Sequence, residues 1–474
     1  MKIHPASTST RRKFLTQSAA SAFGFTFIPA YLTSARAQDN PKHPPSQRIN
    51  LGCIGVGGRA SGVIPGLCKG GIATPIALCD VDFELPKRIE NNLKAYPDAK
   101  RFHDFREMFD KMSKDIDAVS VCSPDHTHFT ATIQAMSLGK HVYVEKPLTR
   151  TFEESEILMR AEKKFGVVTQ MGNQGHTGRG FNQFSKMVEL GLCNNLTKLD
   201  AWKTAGLWFM KEKDRASKLP LSKDTIPSSL KNWDLWCGPR KQLPFNSLYH
   251  PFNWRGFHEY GMGMLGDWGA HILDYLHDKL DMGLPTEIKA LHMEDHNKTI
   301  FPLASQLSMH FPARGENRPA IDMTWKDGAG CHPNIPKHLL SEGQKAPKLG
   351  GAGSLLYSDD SPTSITRGSH GSSPFLVSKE DQKKYNAHLK EVPNAKLDHF
   401  ASFIAACKGE GTTNSPFSIG AELTQVFALG TIAQYLSTDL TFDPKKKQFI
   451  RNDTANALLN PPARKEWEGH YKLA

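Results

Sequence analysis

The sequence lacks any Cys-x-x-Cys pair, and its eight cysteines are scattered over 474 residues. That excludes a zinc ribbon, a thioredoxin-type redox site and a disulfide framework. Beyond the N-terminal region no apolar run approaches the roughly 18 residues a membrane span needs. There is no His-Glu-x-x-His, no Gly-x-Ser-x-Gly and no Walker loop. No repeat with a period of about 20–50 residues is evident. Acidic residues are absent from positions 1–37, which carry Lys2, Arg11, Arg12, Lys13 and Arg36. The net charge of +11 is skewed by that segment: without those five, 54 basic residues face 48 acidic ones. No dense Lys/Arg block accompanies the remainder, so a nucleic-acid partner is not expected. With 39% hydrophobic and 23% charged residues, the chain suffices for two globular domains, each with its own core.

The first segment reads as an address. Thr10-Arg11-Arg12-Lys13-Phe14-Leu15 is a twin-arginine pattern, and a weakly apolar stretch follows from Ala19 to Leu32. Ala35-Arg36-Ala37 then supplies small residues for cleavage. Charged, apolar and small-residue regions in that order predict a secretory signal over 1–37. The expected location is periplasmic or extracellular, in a bacterium. Twin-arginine export carries folded proteins, which suits a chain that binds a cofactor before it leaves the cytoplasm. Residues 38–47, with Pro41, Pro44 and Pro45, read as a polar linker.

From residue 48 the pattern is alternating α/β. Ile49–Ile54 is a short apolar strand that enters Gly55-Val56-Gly57-Gly58-Arg59-Ala60, a G-x-G-x-x-A turn. Glycines there permit a tight turn and the close approach of a pyrophosphate. A second strand, Pro75–Cys79, ends at Asp80, twenty residues after Ala60. An acidic residue at that place accepts ribose hydroxyls, and Val81 offers no charge to a 2′-phosphate, so NAD is expected over NADP. Strands at Asp117–Cys122, His141–Val144 and Val167–Gln170 alternate with helices at His126–Leu138 and Thr151–Phe165. Thr151 and Glu154 form a capping box for the latter, and Gly166 closes it. Ligands bind outside the C-terminal ends of such strands, where Ser123, Pro124, Glu145 and Lys146 fall. His126 and His128 are two apart on a helix and do not share a face, so no metal site is expected.

These residues together resemble the Gfo/Idh/MocA oxidoreductases. The likeness rests on Gly55-Val56-Gly57-Gly58-Arg59, Asp80, Ser123-Pro124 with His128, and Gly139-Lys140-His141-Val142 running into Glu145-Lys146-Pro147. It implies nicotinamide-dependent chemistry on sugars or cyclitols, with Lys146 beside the nicotinamide and touching the reacting hydroxyl. It implies further that 48–170 is the nucleotide-binding domain and 171–440 an α+β domain with a large open, mostly antiparallel sheet. Residues 441–474 would pack back on the first domain, and copies of the chain would associate through the open sheet. Gly261–Asp274 looks like the family's Asp-x-x-x-His catalytic segment, with Asp267 and His271 at i,i+4 on one helix face. Asp267 is expected to hydrogen-bond the substrate or hold the histidine, and Asp274 to orient the imidazole.

In the second half, Lys198–Lys203 and Gln306–Phe311 read as strands, 211–250 as a polar insertion ending at Asn253-Trp254-Arg255-Gly256, and 327–375 as long loops. Residues 397–436 read as helical. Four of the eight tryptophans lie at Trp233, Trp236, Trp254 and Trp268, either as platforms for sugar rings or as core. Asn173 and Gln174 either bind substrate hydroxyls or belong to a crossover loop. Trp254 and Arg255 are the other candidate substrate contacts. Three functions compete: a dehydrogenase acting on a sugar, cyclitol or glycoside; an exported glycosidase using transient NAD-dependent oxidation and elimination; and a binder that keeps NAD as a structural ligand.

Overall fold

The computed structural model describes residues 47–204 and 215–474. The twin-arginine segment, all but the last residue of the proposed linker, and the start of the 211–250 insertion lie outside them.

Six strands form an all-parallel sheet in the order β3-β2-β1-β4-β5-β6. They are β1 Ile49–Ile54, β2 Ala73–Cys79, β3 Lys100–Phe102, β4 Ala118–Val121, β5 His141–Val144 and β6 Thr169–Met171. Their near-continuous apolar runs suit a sheet covered on both faces. The helix Phe152–Phe165 begins with the reciprocal Thr151–Glu154 capping box and ends at Gly166 in the left-handed region, as the sequence signals require. The strand order reverses between β1 and β4, which opens a crevice at their C-terminal ends. Gly55 lies there with φ of 73°, and a Cβ on it would sit 2.5 Å from the Ser123 backbone nitrogen. Only glycine lets the two loops meet.

The second sheet has nine strands in the order β13-β12-β11-β7-β10-β9-β8-β14-β15. Its members are β7 Lys198–Lys203, β8 Glu287–Glu294, β9 Ala304–Phe311, β10 Ile321–Asp327, β11 Ala352–Tyr357, β12 Ile365–Arg367, β13 Phe375–Leu376, β14 Leu440–Asp443 and β15 Gln448–Phe449. Only β7 and β10 run parallel; the other pairs are antiparallel. Residues along β9 alternate strictly between half-buried and buried, so one face is core and the other faces out. The helix Phe417–Leu436 packs against β8, against Phe152–Phe165 and against Gly263–Ile272. It is buried on most sides and joins the two halves of one core.

One expectation changes. The 327–375 stretch is not all loop: β11 and β12 extend the open sheet, with Gly353 opposite Trp202 and Leu355 opposite Asp200. Its Gly/Ser content hid strands whose partner is fixed by pairing with β7, not by local propensity. The 171–440 segment also reaches the first sheet. Its helix His399–Cys407 packs on Ala60–Leu67 of the first sheet, and Phe403 and Ile404 share a core with Leu51, Val63 and Ile64. Strands β8 and β10 had no separate sequence assignment. At the end of the chain, Lys465–Lys472 lies against the helix Asp125–Ser137 of the first sheet. There Trp467 is buried 6.0 Å from the Phe105 ring centroid, with Arg106 over its face at 4.7 Å.

Among the described residues no helix is long and apolar enough to cross a membrane. No group of three or more His, Cys, Asp or Glu among them is arranged to hold a metal.

Candidate active site

The crevice at the β1/β4 reversal opens into a cavity of about 360 Å³ lined by Gly55, Gly57, Gly58, Arg59, Asp80 and Ser123 among others. Asp80 ends β2 with one carboxylate oxygen accepting from the Val56 N–H at 2.9 Å and the other from the Asp82 N–H at 3.2 Å. Burial raises its pKa despite those two bonds. The strand-end acid and the glycine turn therefore share one wall, with no side chain from the three glycines between them. This arrangement fits a dinucleotide: backbone at the turn for the pyrophosphate, and a carboxylate for the adenosine ribose. Lys87 and Arg88 line the same cavity. The sequence argument against a 2′-phosphate considered only position 81 and missed them. From the far side come Trp254 and Arg255, carried on the short helix Asn253–Gly256.

At Arg255 the cavity meets a cluster of charged groups. Arg255 stacks on Trp254 at 4.1 Å, and its Nε is 3.9 Å from Asp267 Oδ1. Lys146, just past β5, donates to the Asp267 carboxylate and also to the Asp267 backbone carbonyl at 3.0 Å. Burial alone would raise the Asp267 pKa, but Lys146 and then Arg255 outweigh it and hold the carboxylate ionised. Asp267 thus holds the lysine, not His271. The i,i+4 spacing puts both side chains within the influence of Lys146, whose ammonium captures the carboxylate.

His271, on the helix Gly263–Ile272, is buried, and its ring stacks on His370 with centroids 3.8 Å apart and planes 20° apart. Burial first, then the positive charge of Lys146 and the neighbouring His370, pushes its pKa well below the usual value. The imidazole is neutral at ordinary pH and can accept a proton. His370 was missed by sequence reasoning. It lies in Gly368-Ser369-His370-Gly371 with φ of 55°, and its backbone N–H donates to the His271 carbonyl at 3.1 Å. The flanking Gly368 and Gly371 were the one local signal available in the sequence. Asp125, also missed as a site residue, is buried at the start of its helix. Burial pushes its carboxyl up to about 7, against the pull of Arg255.

Other chosen residues have different duties. Glu145 accepts from Arg59 Nε at 3.3 Å and from Gln174 Nε2 at 2.8 Å, so Arg59 ties the glycine turn to the Glu-Lys-Pro loop. Gln174 also donates to the Tyr143 hydroxyl at 2.8 Å. Asn173 is buried and donates to Asp274 at 2.9 Å, and the same oxygen meets His176 Nδ1 at 2.7 Å. Both amides therefore brace the crossover, and Asp274 orients His176 instead of His271. Contact with Asp274, and with Asp278, overcomes burial and raises the His176 pKa to about 9. His128 does not line the cavity. It is buried with ring nitrogens 2.7 Å from the Ser123 carbonyl and 2.9 Å from that of Pro147, bracing the Ser123 loop, which does, against the Glu-Lys-Pro loop. His126 likewise sits between the Trp236 and Tyr260 carbonyls. Trp233 and Trp236 stack at 4.5 Å in an aromatic core with Trp254, while Trp268 lies edge-on to both stacked histidines.

Residues 49–173 match the model of an oxidoreductase family's NAD-binding Rossmann fold. Residues 178–306 and 363–469 match the α/β C-terminal domain of the same family. Similar curated proteins include scyllo-inositol 2-dehydrogenase (NADP(+)) IolW of Bacillus subtilis (strain 168), 31% identical over 107 residues, 23% of this chain and 29% of that one. Glycosyl hydrolase family 109 protein 2 of Shewanella sp. (strain ANA-3) is 30% identical over 224 residues, 43% of this chain and 48% of that one. The chain thus spans less than half the length of these relatives. Among solved structures, the WlbA dehydrogenase of Chromobacterium violaceum, in complex with NADH and UDP-GlcNAcA, superposes with a TM-score of 0.55 at 12% identity over 84% of this chain and 96% of that one. The aldose-aldose oxidoreductase of Caulobacter crescentus does so with a TM-score of 0.51 at 14% identity, over 83% and 100%. Both share the fold.

Proposed function

This chain belongs to the Gfo/Idh/MocA oxidoreductase family, and from that premise we propose that it is an NAD-dependent oxidoreductase acting on a hydroxyl of a sugar, cyclitol or glycoside. One observation carries the reading. Lys146 from the first sheet and Asp267 and His271 from the second half form one charged cluster, tied through Arg255 to the lining of the dinucleotide cavity. Gly55, Gly57, Gly58 and Arg59 would hold the pyrophosphate, Asp80 the ribose, and Ser123, Pro124 and Glu145 the nicotinamide end. When bound, the nicotinamide supplies the hydride acceptor.

The protein residues supply orientation and proton handling. Lys146 donates to the substrate hydroxyl oxygen and stabilises negative charge as it develops there. His271, neutral because it is buried beside Lys146, accepts the hydroxyl proton on a ring nitrogen. Asp267 aims the Lys146 ammonium. Trp254 and Trp268, each with a cation over its ring, and the stacked His370 wall the cluster and exclude water. A second reading, redox-neutral glycoside cleavage, gains support from the paired imidazoles. His271 would accept the hydroxyl proton, and His370 would accept the proton of the adjacent C–H and hand it to the leaving-group oxygen. Water would then add to the double bond left behind and the hydride would return, leaving no net oxidation. The likeness to a glycosyl hydrolase family 109 protein agrees with it.

We also propose that Arg11 and Arg12 direct export, and that copies associate through the outer face of the nine-stranded sheet, which sedimentation would reveal as a dimer or larger. For the activity, the test is a panel of sugars, cyclitols and glycosides offered to the purified protein with NAD. A rise in reduced-nicotinamide absorbance supports oxidation. Aglycone release with no net reduction supports the second reading. Neither signal with any of them refutes both.

A further inference from the structure

A second cavity, of about 240 Å³, shares no lining residue with the dinucleotide cavity. Its floor is the loop that follows Lys146, and its walls include Phe257–Glu259, Lys298–Phe301 and the helix Phe417–Leu436. Four cations line it: Arg150, Arg240, Lys241 and Lys298. The one carboxylate among the lining residues, Glu259, is already engaged by Arg240 Nε and the Lys241 N–H, each at 3.0 Å. Glu154, behind the floor, serves the Arg150 and Thr151 backbone N–H groups and the Tyr471 hydroxyl.

Among the described residues the Arg150 guanidinium has a single hydrogen-bond partner, the His258 carbonyl, and its Nε is buried with none. His258 lines the cavity at 5% exposure, and its Nε2 is also buried without a partner. Polar groups left so in an interior cost free energy unless something meets them. Electrostatics agree with the geometry. Burial and then the charge of Arg240 lower the Arg150 pKa to about 10, and burial and then Arg150 lower His258 to about 3. Burial is the larger cause of both shifts, and the neighbouring cations add to it.

We propose that this cavity binds the anionic group of a small, sugar-sized molecule: a phosphate, a sulfate ester or a carboxylate. The planar guanidinium fork of Arg150 suits any of the three, and the exposed Lys241 and Lys298 attract them at the rim. The aromatic and aliphatic walls, Phe257, Phe301, Ile432 and Tyr435, would cover the ring or chain that carries the charge. The site is independent of the activity proposed above.

The test is calorimetric titration of the full chain with inorganic phosphate, inorganic sulfate and glucuronate at fixed ionic strength, with and without saturating NAD. At least one should bind saturably, and the tightest identifies the anionic group. Arg150→Gln should weaken it by about tenfold or more, the loss of charge-assisted hydrogen bonds. Lys298→Ala, exposed and unable to disturb the core, should weaken it about two- to fivefold. That second variant decides the matter if Arg150→Gln does not fold. No saturable binding of any of the three, binding indifferent to both variants, or binding abolished by NAD would each overturn the proposal.

Discussion

Replacing the two ends of the Lys146–Asp267 pair one at a time should give unequal losses, because a third charge stands beside them. The side chains are 11% and 18% exposed, and Arg255 Nε is 3.9 Å from the same carboxylate oxygen. At that distance a unit pair attracts by about 4 kcal/mol at an effective dielectric of roughly 20. Lys146→Met leaves Asp267 still facing Arg255, so the stranded charge keeps a counterion. Asp267→Asn leaves two cations without their paired carboxylate, with only the more distant Asp125 acting on both. Removing one end of a buried pair costs about 3–5 kcal/mol. We expect Asp267→Asn to reach that range and Lys146→Met to stay near about 1–2 kcal/mol. The double variant should fall short of the sum, with a coupling of about 2–3 kcal/mol. Urea midpoints read by circular dichroism at constant slope provide the measurement. Additivity within about 0.5 kcal/mol, or a larger loss for Lys146→Met, would refute the three-charge reasoning. Turnover supplies the functional arm: Lys146→Met should lower it about 10²–10³-fold, as removal of one oxyanion donor does.

Asp80→Ala should weaken NAD by about 1–3 kcal/mol, through loss of a buried charged acceptor for ribose hydroxyls. NADP should lose less, since Lys87 and Arg88 share the cavity; equal losses, or unchanged NAD affinity, would remove Asp80 from the site. Acid should destabilise the fold early. Burial holds His126 at about 3 and His128 and His399 at about 4, all below the unfolded value of about 6.5. The unfolded chain takes up protons first as pH falls, so their contribution is complete above about pH 6.5 and is lost toward about pH 4, at about 1.4 kcal/mol per unit for each ring. His176, raised to about 9, runs the other way and loses its contribution as pH rises from about 6.5 through 9. Urea midpoints that did not fall between about pH 7 and pH 5 would contradict this balance. Changing Arg11 and Arg12 to lysine keeps the charge but should leave the protein in the cytoplasm, and undiminished export in a fractionation assay would dispose of the twin-arginine assignment.

Much of the first domain was legible because its signals are local. The apolar run of β1, the glycines that follow it, the acid ending β2 and the Thr151–Glu154 box all act within a few residues of themselves. Asp-x-x-x-His was legible as a helix face for the same reason: 3.6 residues per turn is a property of the backbone. The sequence thus determined which residues could do chemistry and on which elements they stand.

Which residues they meet was decided by tertiary structure. Lys146 and Asp267 are 121 positions apart, and Asn173 and Asp274 are 101 apart. Nothing in the intervening sequence encodes that the carboxylate of Asp267 goes to lysine while Asp274 goes to His176. Likewise β11 became a strand because β7 offered it an edge, and His370 entered the site because its loop returns to the His271 carbonyl. Period and turn chemistry depend on neighbours along the chain, whereas charge pairing, desolvation and edge pairing depend on neighbours in space. The long helix Phe417–Leu436 packs on both Phe152–Phe165 and Gly263–Ile272, and so joins the half that carries Lys146 to the half that carries Asp267 and His271.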